Sequence, residues 1–163
     1  MDFSSAFDFV NHEALIYKLQ SVGVGGNVLS LINDFLSDRT QAVSIDGASS
    51  DSRSVSSGVP QGSVLGPLLF IIFTSDMWSS LENQVVAYAD DTSVYKSIPC
   101  SQDRSLAAES LMRDLCRIND WCLKWGMKLN PTKSKDLIIS RSQLTPLTPP
   151  LILVVVICRP LQH

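Results

Sequence analysis

Ala107, Leu111, Leu115, Ile118, Cys122 and Trp125 recur in steps of three and four, so they fall on one stripe of an α-helix. Such a helix needs a surface to cover its apolar stripe, and Gly126 is placed to end it. The surface is expected from β-forming runs on either side. Gln84–Ile98 reads strand–turn–strand around Asp90-Asp91, with Val85, Val86, Val94, Tyr95 and Ile98 as β-formers. Met127–Leu129 and Leu137–Ser140 read as short strands flanking Asn130-Pro131. Upstream, Asn11 is an N-cap for a helix carrying Leu15, Leu19 and Val22 that stops at Gly23. A second helix opens near Asn27 with Val28, Leu31, Ile32, Phe35 and Leu36 at helical spacing. Gln41–Asp46 and Ser52–Ser56 form a hairpin candidate through Asp46-Gly47. Gly58–Gly62 is a loop, and Val64–Leu81 reads as one long apolar helix. Helices and strands mix without βαβ alternation, so the expected fold class is α+β.

The chain has 163 residues, 45% of them apolar and 18% charged, which suits one folded domain. No run approaches the roughly 20 apolar residues of a membrane span. Nor does the start, Met1-Asp2-Phe3, resemble a secretory leader, so a cytoplasmic or nuclear protein is expected. Cys100, Cys116, Cys122 and Cys158 lack C-x-x-C spacing and the only histidines are His12 and His163, which argues against zinc. Cys122 reads as a buried small hydrophobe. Nothing in the sequence implies an oligomer. The net charge of −3 divides unevenly: residues 1–100 hold four Lys/Arg against eleven Asp/Glu, and residues 101–163 hold nine against five. An acidic first part suits a site that holds cations, and a basic second part could face phosphates.

Three segments carry the chemistry: Asp2–Asp8, Ser57–Phe70 and Tyr88–Asp91. Two adjacent carboxylates between apolar β-runs repel each other unless a cation neutralises them, and hard Mg²⁺ is the natural one. Asp2 is the candidate third carboxylate of a two-ion site, which would activate an attacking hydroxyl and stabilise the leaving oxygen of an in-line displacement. In the middle segment Gly58, Gly62 and Gly66 let backbone approach a ligand closely, Pro60 stiffens the loop, and Gln61 offers donor and acceptor to a base or sugar edge. Each segment alone has an ordinary structural reading as a turn.

Together they resemble motifs A, B and C of reverse transcriptases, most like those of LINE-type (non-LTR) retrotransposons. Asp-Phe-Ser-x-Ala-Phe-Asp-x-Val-x-His matches Asp2 to His12, Gly-Val-Pro-Gln-Gly-Ser-Val-Leu-Gly-Pro-Leu-Leu-Phe matches Gly58 to Phe70, and Tyr-Ala-Asp-Asp matches Tyr88 to Asp91. Trp125–Lys133 is similar to the next motif. The resemblance implies that Asp2, Asp90 and Asp91 are catalytic and hold two Mg²⁺ or Mn²⁺ ions with help from the Phe3 carbonyl. It implies that Phe7 lies under the incoming sugar, that Gln61 and Gly62 lie near nucleotide and template, and that Lys133 is a candidate proton donor to the leaving pyrophosphate. For Asp8, His12 and Tyr88 the structural readings are preferred: a cap for the following helix, plain helix surface and packing beneath the turn.

The implied fold is a reverse-transcriptase palm, an antiparallel sheet with helices packed on one face, spanning residues 1–142. Residues 143–163 read as a degenerate or poorly ordered tail. The resemblance opens at Asp2 and fades near Gln143, so a palm without fingers and thumb is expected, inactive as an isolated fragment. The implied activity is RNA-directed DNA polymerisation, with an RNA template, a DNA primer and deoxynucleoside triphosphates as partners. The alternative is a non-enzymatic retrotransposon relic that keeps a folded palm. A metal-dependent phosphohydrolase is disfavoured, because it leaves the Gly58–Phe70 segment unexplained.

Overall fold

The computed structural model describes residues 3, 5–88, 91–98, 104–130, 132–134, 137–140 and 152–156. The chain divides into two compact units, Ser5–Ser75 on one side and Met1–Ser4 with Asp76–His163 on the other. It mixes helices with small antiparallel sheets, as the sequence pattern predicts.

In the Ser5–Ser75 unit a short 3-10 turn, Ala6–Asp8, leads into α1 (His12–Ser21). Asn11 caps α1 as expected: its side chain accepts from the Ala14 amide at 2.8 Å. The helix ends where Gly23 takes φ +90°, and the Val24 amide closes back on the Leu19 carbonyl at 2.9 Å. α2 (Gly26–Leu36) packs on α1 and buries Ile32 and Leu36, whereas Val28 and Leu31 on its outer side stay exposed. The Asp46-Gly47 hairpin forms in two pieces. β2 (Ser44–Ile45) pairs with β3 (Ala48–Ser49), and β1 (Thr40–Gln41) pairs with β4 (Arg53–Ser54). Asp46 and Gly47 both have positive φ, 49° and 85°, the backbone a two-residue hairpin turn demands.

The run Val64–Leu81, expected as one helix, is two elements. α3 (Leu65–Thr74) is α-helical and Ser75–Ser80 tightens to 3-10. Ser and Thr side chains bond back to carbonyls here, Thr74 Oγ1 to Phe70 and Ser75 Oγ to Ile72, competing with the helical ladder. α3 packs against α1, and Leu15, Leu19, Leu69, Phe70 and Phe73 are all at most 1% exposed. Each such side chain is worth roughly 1.5–3 kcal/mol of transfer free energy. Lys18 is also buried, and its ammonium donates to the Phe73 carbonyl at 2.6 Å near the end of α3.

In the other unit β5 (Gln84–Tyr88) and β6 (Asp91–Ile98) pair antiparallel, from Gln84 opposite Tyr95 to Tyr88 opposite Asp91. α4 (Arg104–Trp125) lies against β6. Its stripe is the expected one as far as Cys122, since Ala107, Leu111, Leu115, Ile118 and Cys122 are all at most 5% exposed, and Trp125 at its end is half-buried. Gly126 ends it with φ +73°. β7 (Leu137–Ser140) and β8 (Ile152–Val156) complete a four-stranded antiparallel sheet of order β5-β6-β8-β7. The run 152–156, which the sequence pattern leaves in the tail, is strand; Ile, Leu and three Val suit a pleated ladder.

Candidate active site

The first and second motif segments build one local structure within the Ser5–Ser75 unit. Asn11 and Ser57 form an antiparallel bridge, the Gly58 amide donates to the Val10 carbonyl at 2.7 Å, and the Val59 amide donates to the Phe7 carbonyl at 2.8 Å. The Ser57 hydroxyl donates to the Asp8 carbonyl at 2.9 Å. Gly58 makes this approach possible. Its φ is +93°, and a Cβ there would sit 2.9 Å from both the Asp8 Cα and the Phe7 carbonyl oxygen. Gly66 is required in the same way at the start of α3, where a Cβ would meet the Pro60 carbonyl oxygen at 2.7 Å. Ser63 ties that turn together, donating to the Pro60 carbonyl at 2.7 Å and accepting from the Gly66 amide at 2.9 Å.

Phe7 is half-buried with its ring stacked on Phe70, centroids 4.7 Å apart and planes 24° from parallel. Phe7 of the first motif segment thus rests on Phe70, the last residue of the second. Gln61 is exposed, and its Nε2 donates to Asp8 Oδ1 at 3.1 Å. Gly62 is exposed with φ +78° and open space around its α-carbon. Phe7, Asp8, Gln61 and Gly62 therefore all belong to one folded loop system.

Within this unit the structure differs from the expectation at two side chains. Asp8 does not cap α1, because Asn11 does; its carboxylate faces Gln61 instead. His12 is more than helix surface: its Nε2 lies 2.7 Å from the Gly58 carbonyl oxygen. A carbonyl can only accept, so His12 donates from Nε2 and pins the glycine turn. The partners are separated by 46 residues and more, which is why local spacing concealed them.

The remaining expected site residues fall in the other unit or outside the described residues. Asp2 and Asp90 lie outside them. Phe3 is buried and forms an antiparallel bridge with Leu129. Asp91 is exposed as the first residue of β6. Tyr88, paired opposite it, is 83% exposed rather than packed beneath the turn. Lys133 is exposed in an Asx turn, where Asn130 Oδ1 accepts from the amides of Thr132 and Lys133 at 3.1 and 3.3 Å. Among the described residues no group of three or more His, Cys, Asp or Glu could hold a metal. None of the described helices is long and apolar enough to cross a membrane.

Sequence reasoning missed how the β5–β6 hairpin is anchored. Asp114, fully buried on α4, accepts from the Glu82 and Asn83 amides at 2.9 and 2.8 Å, from Asn83 Nδ2 at 2.7 Å and from Arg117 at 3.0 Å. Arg113 and Arg117 reach Glu82 at 3.1 and 2.7 Å, and Lys96 of β6 donates to Ser110 of α4 at 3.1 Å. Burial pushes the Asp114 carboxyl up, but the two amides, the Asn83 side chain and Arg117 outweigh it and hold it below its ordinary value. The signal was present: an acid inside the stripe of Leu111, Leu115 and Ile118 must find partners.

The chain is similar to polymerases of mobile elements. A family model described as reverse transcriptase (RNA-dependent DNA polymerase) matches residues 1–146. "Probable RNA-directed DNA polymerase from transposon BS" of Drosophila melanogaster is 33% identical over 93% of this chain and 17% of its own length. The "RNA-directed DNA polymerase from mobile element jockey" of Drosophila funebris is 33% identical over 87% of this chain and 16% of its own. Its counterpart in Drosophila melanogaster is 35% identical, over 84% and 15%. The chain thus spans about a sixth of the length of these relatives. With a family match over residues 1–146, the chain belongs to the reverse transcriptase family.

Proposed function

We propose that this chain carries the palm of an RNA-directed DNA polymerase of a non-LTR retrotransposon, within residues 1–142. The observation that carries the reading is the docking of the first motif on the second. Phe7, Asp8, Gln61 and Gly62 are held in one loop system by bonds that leave Gln61 and Gly62 exposed. This is what a surface for a nucleotide and a template strand requires.

The residues expected to hold the ions fit a hard divalent cation: three carboxylates, Asp2, Asp90 and Asp91, and a backbone carbonyl, Phe3, offer oxygen alone. Two bound Mg²⁺ or Mn²⁺ ions would supply charge neutralisation for an in-line displacement at phosphorus. Asp114 anchors the start of β5, and with it the hairpin that bears Asp91. Phe7, braced on Phe70, offers a rigid apolar face to a sugar, and a ring so supported cannot yield to an extra hydroxyl. Lys133, exposed in its Asx turn, is the proton donor proposed for the leaving pyrophosphate.

The test is primer extension on an RNA template by the full-length polymerase that carries this segment. The reading requires extension that depends on template, primer, deoxynucleotides and Mg²⁺ or Mn²⁺. Extension that persists in a chelator would count against it.

A further inference from the structure

We propose that Asp8 is a positioning residue that fixes the orientation of the Gln61 carboxamide, so that Gln61 meets its substrate with an acceptor. The inference rests on the polymerase reading of the site and adds to it a residue that the motif resemblance leaves as a local cap.

A single hydrogen bond selects the orientation. Gln61 and Asp8 face each other at 3.1 Å, and an ionised carboxylate can only accept. The Gln61 nitrogen must therefore point at Asp8, and the carbonyl oxygen must point away from it. A free glutamine on an exposed loop would sample both orientations, and with it both donor and acceptor faces. Here one face is selected before any ligand arrives.

The selector is itself immobilised. The Asp8 amide donates to the Ser5 carbonyl at 2.8 Å, its carbonyl accepts from Ser57 at 2.9 Å, and its neighbour Phe7 is held by the Val59 amide at 2.8 Å. Gly58 presses against the Asp8 α-carbon with no room for a side chain. Gln61, four positions after Ser57, belongs to the same clamped loop, yet both side chains remain exposed. An oriented amide oxygen beside a carboxylate attracts a donor, such as a sugar hydroxyl or a base amino group. It disfavours a phosphate, which would meet like charge. Asp8 thus gives the loop a chemical preference that Gln61 alone would lack.

The test compares Asp8→Ala, Asp8→Asn and Gln61→Ala. Asparagine keeps an oxygen that can accept from Gln61; alanine does not. In nuclear magnetic resonance spectra of the 163-residue chain, one Gln61 side-chain amide proton should be shifted and slowed in exchange in the wild type and in Asp8→Asn. In Asp8→Ala it should be released. In primer extension by the full-length polymerase, Asp8→Ala should raise KM for the incoming nucleotide by about tenfold with a smaller change in kcat, as expected for a hydrogen bond to a charged group. Asp8→Asn should restore most of it, and Asp8→Ala combined with Gln61→Ala should be no worse than Gln61→Ala alone. Gln61 amide resonances that are identical in the wild type and Asp8→Ala would overturn the contact. Additive effects in the double variant would overturn the positioning role. A wild-type full-length protein that shows no template-dependent extension, or one whose extension persists in a chelator, would instead overturn the polymerase reading, so the two failures are distinguishable.

Discussion

Gly58 lies so close to Asp8 that a Cβ on the glycine would stand 2.9 Å from the Asp8 α-carbon. The relationship separates two glycines that look alike in sequence. At Gly58 a side chain meets both a positive φ and rigid backbone, whereas at Gly62 it meets a positive φ and open space. Gly58→Ala should cost at least about 2 kcal/mol and Gly62→Ala about 1 kcal/mol, the strain of a left-handed backbone alone. Urea melts of the two variants check this; equal losses would mean that the first motif does not dock on Gly58.

Lys18 gives a second prediction, about stability alone. The residue is 4% exposed, and its ammonium is bonded to the last turn of α3 through the Phe73 carbonyl, with the Phe73 ring centroid 4.7 Å away. A cation at a helix C-terminus is favoured by the helix dipole. Lys18→Met keeps the apolar stem and should still cost about 1–3 kcal/mol, because a buried carbonyl loses its charged donor. A melt unchanged from the wild type would show that the apolar stem carries the whole contribution.

Asp114 predicts the acid limb of the stability profile. Its folded pKa is depressed below the ordinary 3.8, so folding favours the charged form. That contribution is full above the ordinary value and fades as pH falls through the lower folded value. Asp114→Asn should therefore destabilise the chain at neutral pH and lose less on acidification than the wild type. Denaturant titrations from pH 6 down to pH 2 would read the difference as converging curves.

These positions mark what a single sequence can and cannot convey. The α4 stripe, the Asn11 cap and the Asp46-Gly47 turn were legible, because each is fixed by residues within one or two turns of each other. The partners of Asp8, His12 and Lys18 were not, since each lies 46 to 55 residues away along the chain. The end of α3 at Thr74 was hidden because the hydrophobic pattern runs on through Met77 and Trp78, while Thr74 and Ser75 turn the backbone. The motif residues themselves were legible as a pattern; what holds them was not.

Phe7→Val joins the fold to the chemistry. The ring stacked on Phe70 is the proposed barrier to a ribose 2′-hydroxyl. Its removal should let ribonucleotides compete better with deoxynucleotides, and should also lower stability by roughly 1 kcal/mol or more through the lost aromatic pair and area. Competition assays with the two sugars, run beside a melt, separate the effects. Unchanged sugar discrimination in a destabilised variant would leave Phe7 a packing residue only.

The most direct measurement of the central claim is the extension rate of the Asp90→Asn polymerase on a primed RNA template in Mg²⁺, with a melt of the same protein. Asparagine keeps the shape of the side chain and removes the charge expected to bind the ions. The account predicts a rate at least about a thousandfold below the wild type, in line with the losses of about 10⁴-fold seen when a catalytic aspartate is removed, with an unchanged melt. An Asp90→Asn enzyme that extends primers near the wild-type rate would contradict it.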